Sequence, residues 1–354
     1  MSALHTQEGI PQPEKVSPYL NIKRKKKLSV ESLVSGILEG NRVILSQAIT
    51  LIESKAHHDI ETANKIIERC LPYSGNSVRI GITGVPGVGK STFIETFGKY
   101  LTSIGKKICV LAVDPSSELS KGSILGDKTR MEELSVDPNA FIRPSPSGLT
   151  LGGVARKTRE TIILCEAAGF DTILIETVGV GQSETMVKSM VDFFLLLMLS
   201  GAGDELQGIK RGIMEMADAL IITKADGDNI HKANAAKALY QSALQLFPNN
   251  ENGWEPPVDT CSVFLKETIE NIWKIISDFE KHTKRNGYFL KNRAEQSVKT
   301  FYEWMNDMLK ENFYSNPIID NNLNNMITEI RKGKISPFQA GTDLLQRYQK
   351  NIEQ

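Results

Sequence analysis

Short apolar runs alternate with longer helical stretches between residues 77 and 262 of the chain. The runs are continuous and rich in Ile, Val and Leu, which is typical of strands buried on both faces of a parallel sheet. Seven runs predict strands, at Val78–Thr83, Lys107–Asp114, Ala140–Arg143, Thr172–Glu176, Phe193–Leu199, Ala219–Thr223 and Pro257–Cys261. Because helix-length segments separate the runs, the pattern predicts an α/β fold in which helices flank a mostly parallel central sheet.

Helical patterns lie on both sides of this core. Two apolar stripes near a 3.6-residue period follow one another between residues 28 and 76 and predict a pair of helices. In the C-terminal part, one helical face carries Phe301, Trp304, Met305, Met308 and Leu309. An apolar stripe of this kind is most often packed in a core, and a subunit interface is the alternative.

The first 27 residues are polar and end in five consecutive basic residues. They predict a disordered, solvated tail, and a basic arm for RNA or an acidic partner is the alternative. The interpretation therefore divides the chain into a tail at 1–27, an N-terminal helical extension at 28–76, an α/β domain at 77–262 and a C-terminal helical region at 263–354.

Composition narrows the class of protein. The chain has 42 Lys and Arg against 42 Asp and Glu, so no net field favours nucleic acid or an anionic membrane. The longest apolar run, Phe193–Leu199, is far shorter than the ~20 residues that a membrane helix needs. Four widely spaced cysteines without a C-x-x-C pair suit reduced thiols. We expect a cytoplasmic protein that binds neither membrane nor nucleic acid.

A phosphate-binding loop follows the first predicted strand and precedes a predicted helix. Residues 84–92 read GVPGVGKST and fit the pattern G-x-x-x-x-G-K-[ST]. Glycines in this context let backbone N–H groups converge on phosphate oxygens at a helix N-terminus. The Lys90 ammonium is expected to reach the β- and γ-phosphates, and the Ser91 hydroxyl to coordinate Mg²⁺. The predicted loop residues are Gly84, Val85, Pro86, Gly87, Val88, Gly89, Lys90, Ser91 and Thr92.

Two carboxylates at strand ends are candidates for the same metal. Glu176 ends the run ILIE and stands three residues before Gly179, whose amide is placed to contact a γ-phosphate. Asp114 ends the run VLAVD. Ligands bind at the carboxyl ends of the strands in parallel sheets, so both side chains are expected near the phosphate loop.

The segment TKAD at 223–226 resembles the guanine-reading signature N/T-K-x-D. The Asp226 carboxylate can accept two hydrogen bonds from the guanine N1–H and exocyclic amine, a pair that adenine does not offer. Lys224 is expected to pack along the base, and Thr223 stands where Asn is more usual. Ser262 belongs to a short turn whose backbone would read the guanine carbonyl. GTP is therefore favoured over ATP.

Together these segments resemble the MeaB/MMAA-like GTPases, also named ArgK or LAO/AO transport ATPases, of the SIMIBI class of P-loop proteins. The resemblance is carried by GITGVPGVGKST, VLAVDPSS, GSILGDKTRM, AFIRPSPS, TLGGVARKTRE, DTILIETVGVGQSE, LSGAGDELQGIKRGI and ITKADGDN. It implies a P-loop NTPase fold with helical extensions. It also implies a GTP-dependent metallochaperone that gates cobalamin loading of an adenosylcobalamin-dependent acyl-CoA mutase, most often methylmalonyl-CoA mutase, and protects that mutase.

The resemblance also implies cofactors, an oligomeric state and roles for single residues. GTP or GDP and Mg²⁺ are the implied ligands, without cobalamin bound by this chain, and the terminal helices are expected to form a homodimer. Asp114, Glu176 and additionally Asp127 are implied as the carboxylates of the magnesium site. Residues 200–210 look like the family's switch III, with Asp204, Gln207 and Lys210 as its candidate partner-sensing or catalytic residues. Two departures are Thr223 in place of the usual Asn, and Gly148-Leu149 before TLGG.

The predicted reaction is slow hydrolysis of GTP that a partner accelerates. Its candidate catalytic residues are Lys90, Glu176, Gln182, Asp204 and Lys210, and the residue that positions the attacking water stays open, because Gln182 is not adjacent to Gly179. Two other functions remain as alternatives. One is a nickel-insertion GTPase, and the other is an ATPase or kinase of a lysine-arginine-ornithine transport system.

Overall fold

A seven-stranded sheet, parallel throughout, forms the centre of the computed structural model. The structure describes residues 28–54, 56–113, 131–145, 151–177, 183–201, 211–248 and 250–352. The strands are β1 Val78–Gly84, β2 Ile108–Val113, β3 Ala140–Arg143, β4 Thr172–Thr177, β5 Phe193–Leu199, β6 Ala219–Thr223 and β7 Val258–Thr260. The α/β fold predicted from the sequence is confirmed, and each predicted strand is present with its ends shifted by one residue at most.

The strand order is β3-β2-β4-β1-β5-β6-β7, so β1 lies at the centre between β4 and β5. From β1 the chain continues through β2 to β3 at one edge of the sheet, and from β4 it continues through β5 and β6 to β7 at the other edge. In open α/β sheets, ligands bind beyond the carboxyl ends of the strands where the order reverses in this way. The loop that follows β1 therefore occupies the position at which a ligand is expected.

Helices cover both faces of the sheet. On one face α4 Lys90–Ser103 and α10 Lys266–Arg285 bury Phe93, Phe97, Ile272 and Phe279 against it. On the other face α6 Leu151–Ala167 and α7 Ser183–Lys188 share a core with the N-terminal helices. The remaining helices after β1 are α5 Glu132–Val136, α8 Arg211–Met216 and α9 Ile230–Leu244.

The N-terminal extension consists of three helices rather than the predicted pair. They are α1 Val30–Leu38, α2 Arg42–Glu53 and α3 His57–Cys70. The first predicted stripe is split because Gly40 adopts a φ of +73° and Asn41 caps α2, accepting hydrogen bonds from Val43 N and Ile44 N. The apolar period continues across this break, so periodicity alone could not locate it. The division of the chain at residues 76 and 262 stays a prediction.

The C-terminal region adds α11 Tyr288–Ser315, α12 Pro317–Arg331 and α13 Pro337–Ile352. Arg293 of α11 connects this region to the amino end of the sheet. Its Nε donates to Asp192 Oδ1 at 2.8 Å and its Nη2 donates to Asp192 Oδ2 at 2.7 Å. The same guanidinium donates to the carbonyl oxygens of Gly75 and Ser77. Within the described residues, no helix is both long and apolar enough to cross a membrane.

Candidate nucleotide-binding site

The loop between β1 and α4 has the backbone that a phosphate cradle requires. Gly87 and Gly89 adopt φ angles of +78° and +90°, a conformation that favours glycine. A Cβ on Gly84 would come within 2.4 Å of the Leu197 carbonyl oxygen on β5, so only glycine fits there. Gly89 directly precedes α4, and the loop therefore leads its N–H groups into a helix N-terminus.

Lys90 lies in the first turn of α4 and its side chain folds back over the loop. Its Nζ donates to the Gly84 carbonyl oxygen at 2.8 Å and reaches the Val85 carbonyl oxygen at 3.5 Å. Burial lowers the pKa of Lys90, while the carboxylates of Glu176 and Glu184 act in the opposite direction. A partly desolvated ammonium over a ring of backbone donors can bind phosphate oxygens strongly.

Oxygen ligands for a divalent cation meet beside this lysine. The Ser91 Oγ donates to Glu176 Oε1 at 3.2 Å, and Glu176 lies opposite Ile82 in the register of β4 and β1. A hydroxyl and a carboxylate oxygen at the phosphate edge are hard ligands of the kind that Mg²⁺ prefers, so the donor set fits that ion. The other two predicted ligands, Asp114 and Asp127, lie outside the described residues.

The predicted base-reading residues lie at the ends of β6 and β7. The Ser262 Oγ donates to Asp226 Oδ2 at 2.7 Å, and the Ala225 N–H donates to the Cys261 carbonyl oxygen at 3.0 Å. These two hydrogen bonds hold the segment TKAD against the turn that contains Ser262. The carboxylate of Asp226 is thereby fixed in orientation, which a residue that reads a base edge requires.

Thr223 connects the base segment with the phosphate loop. Its buried hydroxyl donates to the Val88 carbonyl oxygen at 2.9 Å, with the Met198 carbonyl oxygen also within reach at 3.2 Å. The neighbouring Lys224 Nζ donates to the Gly87 carbonyl oxygen at 2.9 Å. Thr223, which stands where Asn is more usual, thus places a hydroxyl between the base segment and the phosphate loop. This hydroxyl donates a hydrogen bond to the backbone of the phosphate loop.

Asn229 supports this arrangement and was missed by the sequence analysis. Its Nδ2 donates to the Lys224 carbonyl oxygen at 2.6 Å, and its Oδ1 accepts from the Ser200 Oγ at 2.7 Å. Lys224 has a φ of +56°, and among the described residues it is the non-glycine residue with a positive φ. Local strain of this kind is found at functional sites and persists only where neighbours hold it. An asparagine inside a turn gives no sequence signal for that role.

The structure brings together the described candidates at one edge of the sheet. They lie at or just after the carboxyl ends of β1, β4, β6 and β7, and comprise loop residues 84–92, Glu176, the segment 223–226 and Ser262. Gly179, Gln182, Asp204, Gln207 and Lys210 lie outside the described residues, as does the departure at 148–149, and their roles stay predictions. Glu184, a buried carboxylate at the start of α7, was not singled out from the sequence.

Comparisons with known proteins agree with this geometry. A family model described as "Methylmalonyl Co-A mutase-associated GTPase MeaB" matches residues 45–318. A "Putative GTPase" of Caulobacter vibrioides is 48% identical over 90% of this chain and 97% of its own length. The mouse "Methylmalonic aciduria type A homolog, mitochondrial" is 44% identical over 92% of this chain and 80% of its own.

A solved structure gives the same result at the level of the fold. A crystal structure described as a LAO/AO transport system kinase superposes with a TM-score of 0.71 and 36% identity, covering 90% of this chain and 97% of its own. The family match extends over most of the chain and includes the phosphate loop, the strand-end carboxylates and the base segment. The chain therefore belongs to the MeaB family of methylmalonyl-CoA mutase-associated GTPases.

Proposed function

We propose that this chain is a GTP-driven chaperone of an adenosylcobalamin-dependent acyl-CoA mutase, with methylmalonyl-CoA mutase as its partner. It gates the loading of cobalamin and protects the mutase, and it does not itself hold cobalamin. The observation that carries the proposal is the family match over residues 45–318, whose description names the mutase. We further propose that the chain works in the cytoplasm.

The site geometry supports guanine nucleotide as the ligand. Lys90 and the loop backbone lie beneath the position of the phosphates, and Asp226 is oriented by Ser262 at the position of the base. Thr223 and Lys224 connect these two parts by bonding to Val88 and Gly87. Base and phosphates are therefore recognised by one connected unit, which makes affinity for the triphosphate depend on the base.

Hydrolysis requires stabilisation of charge on the transferred phosphoryl group. The Lys90 ammonium and the loop N–H groups are placed to stabilise charge on the γ-phosphate and on the oxygen that bridges it to the β-phosphate. Ser91 and Glu176, with Asp114 and Asp127 as further candidates, would hold Mg²⁺, which would neutralise charge on the phosphate oxygens. Because no arginine finger is assignable among the residues that the structure describes, we expect a slow intrinsic rate that the partner increases.

The long helix α11 supports the proposed homodimer. Its apolar residues Val298, Phe301, Tyr302 and Leu309 are each more than half exposed in the isolated chain. An extended apolar stripe on a surface is typical of an interface, and a second copy would cover it. Light scattering of Phe301→Glu should then show a monomer, whereas Leu246→Glu, at an exposed apolar residue outside α11, should leave the dimer intact.

Binding to the mutase tests the proposed function. The full-length chain should retain cobalamin-loaded methylmalonyl-CoA mutase on a column in the presence of a slowly hydrolysed GTP analogue, and release it with GDP. Lack of retention with either nucleotide would contradict the chaperone function and leave the GTPase assignment intact.

The alternative, an ATPase or kinase of a transport system, draws support from the description of the solved relative. Calorimetric measurement of GTP and ATP affinity distinguishes this alternative from the proposed GTP-driven chaperone. We expect GTP to bind at least 100-fold more tightly than ATP, because a site built to bond the guanine edge leaves Asp226 unpaired against adenine. Equal affinities would favour the transport function.

Within the described residues, no group of three or more His, Cys, Asp or Glu side chains could hold a metal ion such as nickel.

A further inference from the structure

Four buried polar side chains form a layer at the carboxyl end of the sheet, next to the phosphate loop. They are Thr83 of β1, Thr177 of β4, and Ser183 and Glu184 at the start of α7, and each is at most 3% exposed. Thr177 donates to the Thr83 hydroxyl at 2.8 Å, and Ser183 donates to Glu184 Oε2 at 3.3 Å. Burial of polar groups, and of a carboxylate above all, is costly unless they are bonded.

The layer lies on the sheet face opposite α4, which carries the phosphate loop. Side chains alternate along a strand, so Thr83 faces the same side as Gly81. A Cβ on Gly81 would come within 2.9 Å of Val187 Cγ1, so α7 rests directly on β1 at that point. Glu184 precedes Val187 by three residues and lies on the same side of the helix. Its carboxylate is therefore at the level of Thr83, at the edge where the loop begins.

Two described carboxylates, Glu176 and Glu184, lie at this edge of the sheet. Glu176 is accounted for by its contact with Ser91 and its role at the cation. Glu184 lies on the other face of the sheet, and its described hydrogen bond comes from the neighbouring Ser183.

A carboxylate cannot contact a phosphate oxygen directly, because both are negative. Their repulsion is strong at the reduced effective dielectric constant of a partly buried site. A hydrogen-bond donor between Glu184 and a bound γ-phosphate would remove this repulsion. In a site that hydrolyses GTP, the attacking water can supply that donor.

We propose that Glu184 orients the water molecule that attacks the γ-phosphate. The carboxylate accepts a hydrogen bond from the water and directs the water oxygen at the γ-phosphorus. The oxygen forms a bond to phosphorus while the bond from phosphorus to the bridging oxygen breaks, and that electron pair stays on GDP. GTP⁴⁻ and water give GDP³⁻ and H₂PO₄⁻, so both protons leave with the phosphate and Glu184 ends the reaction ionised. The proposal rests on GTP hydrolysis at this loop.

Single-turnover hydrolysis and GTP affinity of full-length variants test this role. We expect Glu184→Gln to lower the hydrolysis rate about 100-fold, the lower end of what a positioned acid or base side chain contributes, with GTP affinity within threefold of wild type. Glu184→Asp should retain an intermediate rate. The matched control is Glu166→Gln, because Glu166 is equally buried but lies at the opposite end of the sheet, bonded to Arg79. It should lower thermal stability without a loss of rate in the folded protein.

The outcomes separate this proposal from the assignment of the site. A hydrolysis rate of Glu184→Gln within threefold of wild type would overturn the proposal for Glu184. A parallel fall of hydrolysis rate and GTP affinity would also overturn it, because Glu184 would then only support the loop. Full hydrolysis by Lys90→Ala would overturn the loop as the site of reaction together with the Glu184 proposal. A selective loss of rate in Glu184→Gln, with Lys90→Ala inactive, supports both.

Discussion

The two ends of the sheet use buried charges in different ways. At the amino end, Arg79 pairs with Glu166 through two hydrogen bonds of 2.9 and 3.0 Å, and Arg293 pairs with Asp192 in the same manner. At the carboxyl end, Lys90 bonds to backbone carbonyl oxygens and Ser91 meets Glu176 at 3.2 Å. The charges at the amino end are paired with each other, whereas those of the candidate nucleotide site are bonded to neutral groups that a ligand could replace.

This difference predicts which property each substitution changes. At the amino end, removal of one partner leaves a buried charge uncompensated, so stability should fall while nucleotide affinity is kept. At the carboxyl end, removal of a charge should weaken binding or rate and leave stability nearly unchanged. A substitution at the amino end that mainly lowers nucleotide affinity, or one at the carboxyl end that mainly lowers stability, would contradict this division of roles.

The largest effect is expected for Lys90→Ala. Loss of the ammonium removes stabilisation of charge on the γ-phosphate, and the hydrolysis rate should fall about 1,000-fold. Lys99→Ala, on the exposed side of the same helix, is the matched control and should hydrolyse GTP normally. Single-turnover measurements check both, and an active Lys90→Ala would exclude this loop as the reaction site.

Asp226→Asn should weaken GTP binding about 100-fold. The amide replaces one acceptor oxygen with a donor, so the guanine N1–H and exocyclic amine lose part of their bonding. Calorimetry should compare the GTP affinity of this variant with that of Asp228→Asn, which changes an exposed carboxylate two residues away. If both variants bind GTP as wild type does, Asp226 does not read the base.

Arg293→Ala should cost about 3–5 kcal/mol of unfolding free energy. The substitution leaves Asp192, which is 5% exposed, without its cation, and it also removes donors to the Gly75 and Ser77 carbonyl oxygens. Denaturant unfolding should be compared with the exposed Arg285→Ala. Unchanged stability, or a selective loss of GTP affinity, would remove the distinction between the two ends of the sheet.

The same network predicts a dependence of stability on pH. Burial opposes ionisation of Glu166, but its bonds to Arg79, Ser77 and Gly75 outweigh that effect and hold its pKa below the ordinary value of 4.5. A lowered folded-state pKa stabilises the protein above the unfolded value, and that stability is lost as pH falls through the folded value. Below about pH 4.5, the stability difference between wild type and Glu166→Gln should therefore shrink in urea unfolding. A constant difference would contradict the ion pair.

The smallest effect is expected for Thr223. Thr223→Val removes the hydrogen bond between the base segment and the phosphate loop and should weaken GTP binding about tenfold, the value of one such bond. Thr223→Ser keeps the hydroxyl and should bind as wild type. Equal binding by the valine variant would mean that the connection through Val88 does not contribute to affinity.

Local signals were sufficient for most of the sheet and much of the site. Continuous apolar runs located the seven described strands, and the spacing of the glycines with Lys90 and Ser91 predicted a phosphate loop, in which Gly87 and Gly89 have positive φ angles. The segment 223–226 was recognised by residue type. Its bond to Val88 was not predicted, because Thr223 and the loop are 135 positions apart in sequence.

What the sequence did not show depends on contacts between distant segments. Arg293 and Gly75 are 218 positions apart, and neither carries a pattern that points to the other. Glu184 was missed because a carboxylate in the first turn of a helix is ordinarily an exposed residue that interacts with the helix dipole. Its burial follows from the way α7 packs on β1 at Gly81, which only the fold reveals.

The most direct test of the proposed function is the rate of GTP hydrolysis by the full-length chain with and without methylmalonyl-CoA mutase. The chain alone should hydrolyse GTP slowly, and addition of the mutase should increase the rate severalfold in wild type while Lys90→Ala stays inactive. A rate that does not change over a range of mutase concentrations that saturates binding would contradict the claim that this GTPase site serves the mutase.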